Sequence, residues 1–355
     1  MITPVKRVNR FFMLITAPFL GLILCLWLYQ PPLQLDLKVE QFSPVTGPLQ
    51  ETAVLKSELT KAQTAASYTI KSVSASAKVY KQTTSTMNAL VSTATAQTTR
   101  PKVIYNRRIT AKLGSPEEVI SSSRISIELY RMNPGDYKGY ALKIKLKDPS
   151  AMTMSLGKEI PGGSETTMQA VSRHGAVAGI NAGGFADKGG KRYPLSTTIL
   201  GGEYLNGFES SYKDLSFVGL NKSGKLIGGK FYSQSQLDKL EPAFGATFVP
   251  VLLQNSIKVP IPEKWKANPR RAPRTVMGKY KDDQLLVLVA DGYNENGSSG
   301  ATLEEIQNKL YGMGVTDAYN LDGGGSSSLI FNGKVVNKPS DGNLRAVPTN
   351  FLFFE

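Results

Sequence analysis

Four glycine-rich polar stretches carry the residue types from which a site is made: GINAGGFAD at 179–187, RRAPRTVMG at 270–278, VADGYNENGSSGAT at 289–302 and YNLDGGGSSSL at 319–329. An apolar run that ends in Asp-Gly or Asn-x-Gly-Gly leaves a polar side chain at a strand end. The glycines behind it let the backbone turn tightly, with N–H groups turned toward a ligand. Several such loops at one end of a sheet build a pocket. Taken singly they say less. An Asp-Gly after a strand is an ordinary turn, Arg274 alone reads as a surface arginine, and His174 lies near an expected helix C-terminus, where it suits the helix dipole. The stretch at 289–302 fails as a calcium loop. With Gly297 at the loop glycine, Gly292 would hold the first ligand position and Leu303 the last.

The rest of the composition narrows the chemistry. One histidine and one cysteine, Cys25, exclude His-cluster and Cys-based metal sites and any disulfide within the chain. Loop oxygens leave a divalent cation, Ca²⁺ or Mg²⁺, open as a ligand, although no spacing demands one. The net charge of +14 is uneven: residues 1–115 hold 14 Lys/Arg against 4 Asp/Glu, and the other 240 hold 28 against 24. That split fits a basic segment beside an anionic membrane rather than a nucleic-acid-binding face.

The elements that would position these loops begin near residue 115. RISIELYRM (124–132), GYALKIKLKD (139–148), AVAGIN (176–181), LSFVGL (215–220), QLLVLVAD (284–291), LIFNGKVV (329–336) and TNFLFF (349–354) read as strands, with an Asn-Gly hairpin turn at 331–334. Two helices are expected. One is SETTMQAVSRHG, with Ser164 as N-cap and Gly175 past its end. The other is TLEEIQNKLYGMG, with a Thr302/Glu305 capping box and Gly312 as its stop. The expected fold is α+β: a mixed β-sheet domain over 115–355 with a few packing helices.

Ahead of it, residues 11–29 run for 19 positions without a charge, which as a helix would span roughly 28 Å. Lys6, Arg7 and Arg10 precede the run and Trp27 and Tyr29 close it. No small-residue cleavage site follows, so residues 1–30 read as a cytoplasmic tip and a single-pass signal anchor, with the remainder outside the cell membrane. Residues 31–114 read as a stalk, Pro-rich and then rich in Ser, Thr, Ala and Lys. Apolar residues at three- and four-residue steps, from Leu55 to Val91, make the stalk helical with self-association through it, or else partly disordered.

The combination of AVAGINAGGF, APRTVMG, VLVADGY, SSGATLEEIQNKLYGMGVTDAYNLDGGGSSSLIFNGKVVNKPSDG and RAVPTNFLF resembles the phosphodiester glycosidase family, over roughly residues 120–355. The family's Asn-x-Gly-Gly-aromatic motif is matched by Asn181, Gly183, Gly184 and Phe185. Its Pro-Arg-Thr is matched by Pro273, Arg274 and Thr275, its Asn-Leu-Asp-Gly-Gly-Gly-Ser-Ser by Asn320 through Ser327, and its late arginine by Arg345. The chain departs at Tyr293, where many members have arginine after Asp-Gly.

The resemblance implies hydrolysis of a sugar-1-phosphodiester in a phosphorylated glycan. Arg274 and Arg345 would hold the phosphate. Thr275, Asn181, Gly183, Gly184, Asn320, Gly323, Gly324, Gly325, Ser326 and Ser327 would hold phosphate or sugar. Asp322 and Asp291 would be the carboxylates acting on the oxocarbenium-like transition state, with their roles unassigned. The alternative is a polysaccharide-binding or exopolysaccharide-assembly protein of the same fold without catalysis, which Tyr293 favours. A sugar-1-phosphodiester assay and glycan binding separate the two.

Overall fold

The structure is a computed structural model that describes residues 48–292 and 300–355, together with Leu20, Leu24 and Leu28. Apart from those three leucines, the expected membrane span lies outside the described residues, as does Tyr293. Among the described residues no helix is long and apolar enough to cross a membrane. The chain divides into two compact units between Val91 and Ser92.

The stalk takes the helical form, as α1 (Pro48–Leu113), with Pro101 inside it. From Ala53 to Arg100 its residues are exposed. Its last turns, which belong to the second unit, bury Ile109 and Leu113 in that unit's core.

Strands are numbered in chain order. An eight-stranded sheet runs β1 (Glu118–Ser121), β2 (Ile125–Met132), β3 (Gly139–Leu146), β16 (Leu285–Ala290), β15 (Arg274–Lys279), β17 (Asp317–Asn320), β13 (Val251–Gln254) and β14 (Ile257–Lys258). A five-stranded sheet runs β19 (Lys334–Val335), β18 (Leu329–Phe331), β5 (Ala178–Asn181), β20 (Thr349–Phe353) and β4 (Met152–Leu156). Another runs β11 (Leu226–Gly229), β10 (Ser216–Asn221), β12 (Pro242–Phe248), β8 (Ile199–Leu200) and β9 (Glu203–Tyr204). A separate hairpin joins β6 (Phe185–Lys188) to β7 (Lys191–Pro194). The α+β class is as expected. A mixed sheet was expected, yet each described strand pairing is antiparallel.

The layers follow from which faces are apolar. One face of the large sheet packs Ile127, Leu142, Val287 and Tyr319 against Ile180, Phe331, Phe351, Val218 and Phe244 of the two smaller sheets. Its other face packs Leu286, Leu288 and Val276 under Ile109 and Leu113 of α1 and under α5 (Leu303–Met313). Central strand β16, LLVLVA, is therefore buried at all six positions, as a strand covered on both faces must be. Two short helices, α3 (Gln234–Asp238) and α4 (Glu263–Ala267), lie in connections.

Helix ends differ from the expected ones in detail. Helix α2 (Thr167–His174) starts from Thr166 in a capping box with Gln169, not from Ser164. Backbone pairing of Glu165 with Val347 keeps the preceding residues extended. The Thr302/Glu305 box on α5 forms as expected, while Gly314, not Gly312, ends that helix in the left-handed conformation (φ 83°). Asn332 and Gly333 turn the β18–β19 hairpin, both with positive φ.

Candidate active site

Three strand ends from two sheets meet at the side chain of Asn181, the last residue of β5. Its amide Nδ2 donates to the Asp322 carbonyl at 2.7 Å, and its Oδ1 accepts from the Thr275 hydroxyl at 2.9 Å and the Ser328 N–H at 3.0 Å. Asn181 and Thr275 are completely buried. Backbone bonds run alongside, from Leu321 N to Thr275 O (2.8 Å) and from Asp322 N to Ala182 O (3.1 Å). The loop carrying Asp322 is thus fixed before any ligand arrives.

Asp322 is half-buried as a residue, but its carboxyl is desolvated. Burial pushes it up to about 6. The Ser326 side chain, the Gly323 N–H and the charges of Arg345 and Arg192 pull the other way. The site is therefore a desolvated carboxylate in the field of two guanidiniums, each of which is itself paired with another carboxylate, Arg345 with Asp341 and Arg192 with Asp187. Such a cluster suits an anionic group beside a centre that develops positive charge.

Arg345 reaches the site from the loop before β20 and pairs with Asp341 at 2.6 Å. The pair lies directly over Gly325: a Cβ there would fall 2.1 Å from both Arg345 Nη2 and Asp341 Oδ2, so a larger residue must push those two side-chain ends aside. Arg192, on β7, stacks over the Phe185 ring (4.8 Å to its centroid), pairs with Asp187 and donates to the Ala346 carbonyl next to Arg345.

The amide cradle expected from the three glycines is mostly engaged within the chain. The Gly323 N–H donates to Asp322 Oδ1 (3.0 Å) and the Gly324 N–H to the Pro273 carbonyl (2.9 Å). The Ser326 and Ser327 N–H groups close a tight turn onto the Gly323 and Gly324 carbonyls. Ser326 and Ser327 are fully buried, and Asn337 clamps the segment by accepting from Leu329 N (2.7 Å) and donating to Ser327 O (3.0 Å). Gly183 and Gly184 lie against β12, with Gly184 N donating to Thr247 O at 3.1 Å. Asn320 donates to the Val249 carbonyl at 2.6 Å, while its Oδ1 is buried without a partner among the described residues.

Arg274 opens β15 as a buried guanidinium with no carboxylate partner among the described residues, donating to the Pro269 (2.9 Å) and Ala301 (3.2 Å) carbonyls. Burial lowers its pKa to about 10, so it stays charged at neutral pH. Asp291 follows β16 and has separate surroundings. Burial raises its pKa, and its Oδ1 accepts from Lys338 N at 2.8 Å. Strand β15 separates β16 from β17, so the Asp291 and Asp322 backbones are two strand spacings apart, about 10 Å. The 338–345 loop links them, held by Asp291 at one end and carrying Arg345 over Gly325 at the other.

Arg192, Asp341 and Asn337 escape the sequence reading. KGGKR and PSDG carry the ordinary signals of surface turns, and nothing local marks their tertiary partners. Among the described residues no group of three or more His, Cys, Asp or Glu side chains converges in a way that could hold a metal ion.

Comparison with known proteins agrees with this architecture. The family model for phosphodiester glycosidase matches residues 174–354, just over half of the chain. Mouse N-acetylglucosamine-1-phosphodiester alpha-N-acetylglucosaminidase is 40% identical over 68 residues, 19% of this chain and 13% of that protein. The Bacillus subtilis SPbeta prophage-derived uncharacterized protein YomE is 39% identical over 75 residues, 21% of this chain and 12% of that protein. The matches thus span about an eighth of these relatives' length. The zebrafish N-acetylglucosamine-1-phosphodiester alpha-N-acetylglucosaminidase catalytic domain, solved auto-inhibited by its pro-peptide, shares the fold with a TM-score of 0.53. That alignment is 21% identical and covers 67% of this chain and 88% of that one. On the family match, this chain belongs to the phosphodiester glycosidase family.

Proposed function

We propose that this protein is a glycosidase that hydrolyses a sugar-1-phosphodiester in a cell-surface glycan or exopolysaccharide. The observation that carries the reading is the desolvated carboxylate of Asp322, within the electrostatic reach of Arg345 and Arg192. Family membership supports it, as do the names of the mammalian relatives, which act on N-acetylglucosamine-1-phosphodiesters.

In this reading the bond between the anomeric carbon and the phosphate oxygen breaks, and the electron pair leaves with the phosphate. The guanidiniums hold the charge that collects there. Water adds to the anomeric carbon, giving the free sugar and a phosphomonoester. Asp322, ionised above about pH 6, stabilises the oxocarbenium-like centre. Asp291 keeps the 338–345 loop, and with it Arg345, in place. Arg274 fixes the Pro269 and Ala301 segments behind the loop and supplies positive potential.

The basic flank and apolar run at 11–29 support anchoring in the cell membrane with the catalytic domain outside. The seven-residue spacing of exposed Leu59, Ala66, Val73, Tyr80 and Met87 on α1 supports self-association through the stalk.

The test is release of N-acetylglucosamine from its 1-phosphodiester with a simple alcohol, using the full chain and its Asp322→Asn and Arg345→Ala variants. Turnover that either substitution lowers by a hundredfold or more supports the proposal. Glycan binding without turnover replaces it with the binding-protein reading.

A further inference from the structure

The β6–β7 hairpin belongs to none of the three larger sheets, and an isolated two-stranded ribbon is marginal in water. This one is braced from the side of the site. Arg192 N donates to Gly162 O at 3.1 Å, the Arg192 guanidinium donates to Ala346 O, and the Lys191 stem packs over Gly162. Its turn is Gly189-Gly190, both with positive φ (59° and 73°).

The charges on the ribbon are arranged unusually. Asp187 faces Arg192 across the strands, a favourable pair, whereas Lys188 faces Lys191 directly. Like charges opposite one another weaken a hairpin. Both lysines are exposed, and neither has an ion pair or hydrogen bond among the described residues. Such a pair is at a cost in the free protein and is relieved by an anion between the two ammonium groups.

Arg192 feels the Asp322 carboxylate; the lysines stand one residue farther along, on the opposite face of the ribbon. They therefore cannot share the anion that Arg192 would hold.

We propose that the β6–β7 hairpin is a binding arm for the acceptor side of the substrate, and that this substrate is a multiply anionic glycan phosphate. Arg192 meets the phosphate that leaves with the acceptor, and Lys188 with Lys191 holds a second anionic group farther along it. The proposal rests on the sugar-phosphodiester reading of the Asp322 site.

The test compares two probes with one scissile linkage: the methyl ester of N-acetylglucosamine 1-phosphate, and the same sugar phosphate joined to a short oligo(glycerol phosphate). The full chain should favour the second probe about tenfold in kcat/KM at low salt, and added salt should erase the preference. Lys188→Gln/Lys191→Gln should bring the ratio close to one, and Lys188→Arg/Lys191→Arg should keep it. A wild-type ratio near one overturns the arm, as does an undiminished ratio in the glutamine variant. If neither probe is cleaved, the glycosidase reading falls and the arm is judged by equilibrium binding of free oligo(glycerol phosphate). Salt-sensitive binding that is lost with the two lysines supports it. Binding that is absent, or equal in the glutamine variant, overturns it.

Discussion

Replacing Asp322 with asparagine should inactivate the protein and make it more stable at neutral pH. In the fold this carboxyl titrates at about 6 against an ordinary 3.8, so the ionised form is held uphill. A two-unit shift corresponds to about 3 kcal/mol. An acid whose pKa is raised by folding binds its proton more tightly in the folded state than in the unfolded one. Its contribution to stability is fully present below the unfolded value and is lost as pH rises through the folded value. Asparagine keeps the shape and removes the charge. The gain should be near zero at about pH 4 and reach about 2–3 kcal/mol above about pH 7. For a domain of this size, about 2 kcal/mol raises Tm by roughly 4–8 °C. Urea unfolding of both proteins across this pH range measures the difference directly. A variant less stable than wild type at neutral pH would refute the reasoning, as would a difference that does not change with pH.

Three further substitutions test the frame around that carboxylate. Gly325→Ala should displace the Arg345–Asp341 pair, costing about 1–3 kcal/mol in urea unfolding and most of the turnover. Asn181→Ala leaves the Thr275 hydroxyl, the Ser328 N–H and the Asp322 carbonyl unpaired in a buried place. It should lower unfolding free energy by about 2–4 kcal/mol, and Asn181→Asp should not restore it. Val73→Asp, at an exposed α1 position, should reduce the assembled mass in light scattering while leaving the Tm of the second unit within about a degree.

Much of this was legible where local chemistry is self-sufficient. The capping box of α5, the Asn-Gly turn of β18–β19 and the strand ends at Asn181 and Asp322 are written in a few adjacent residues, and the structure has them. In the sequence strand β15 shows only as the Pro-Arg-Thr motif, because Arg274 and Gly278 spoil its apolar alternation. Its burial comes from neighbours β16 and β17. Strand β12, PAFGATF, is hidden in the sequence for a similar reason: Gly245 is small because the Phe217 ring lies on it, a contact with a residue 28 positions earlier. Arg192 and Asp341 were illegible because their roles depend on Ala346, Gly325 and Asp322, none of them local to either side chain.

The position of β20 bears on biosynthesis. This strand, Thr349–Phe353, lies inside its sheet between β5 and β4, and its Phe351 and Phe353 sit in the main core. Strand β5, which ends in Asn181, has no neighbour on that side until residues 349–353 have been synthesised and released. The large sheet can assemble earlier, but its apolar face stays uncovered while the chain is incomplete. Synthesis thus exposes an adhesive intermediate until β20 docks, and a chain lacking residues 349–353 should be a substrate for proteases rather than a slightly destabilised protein.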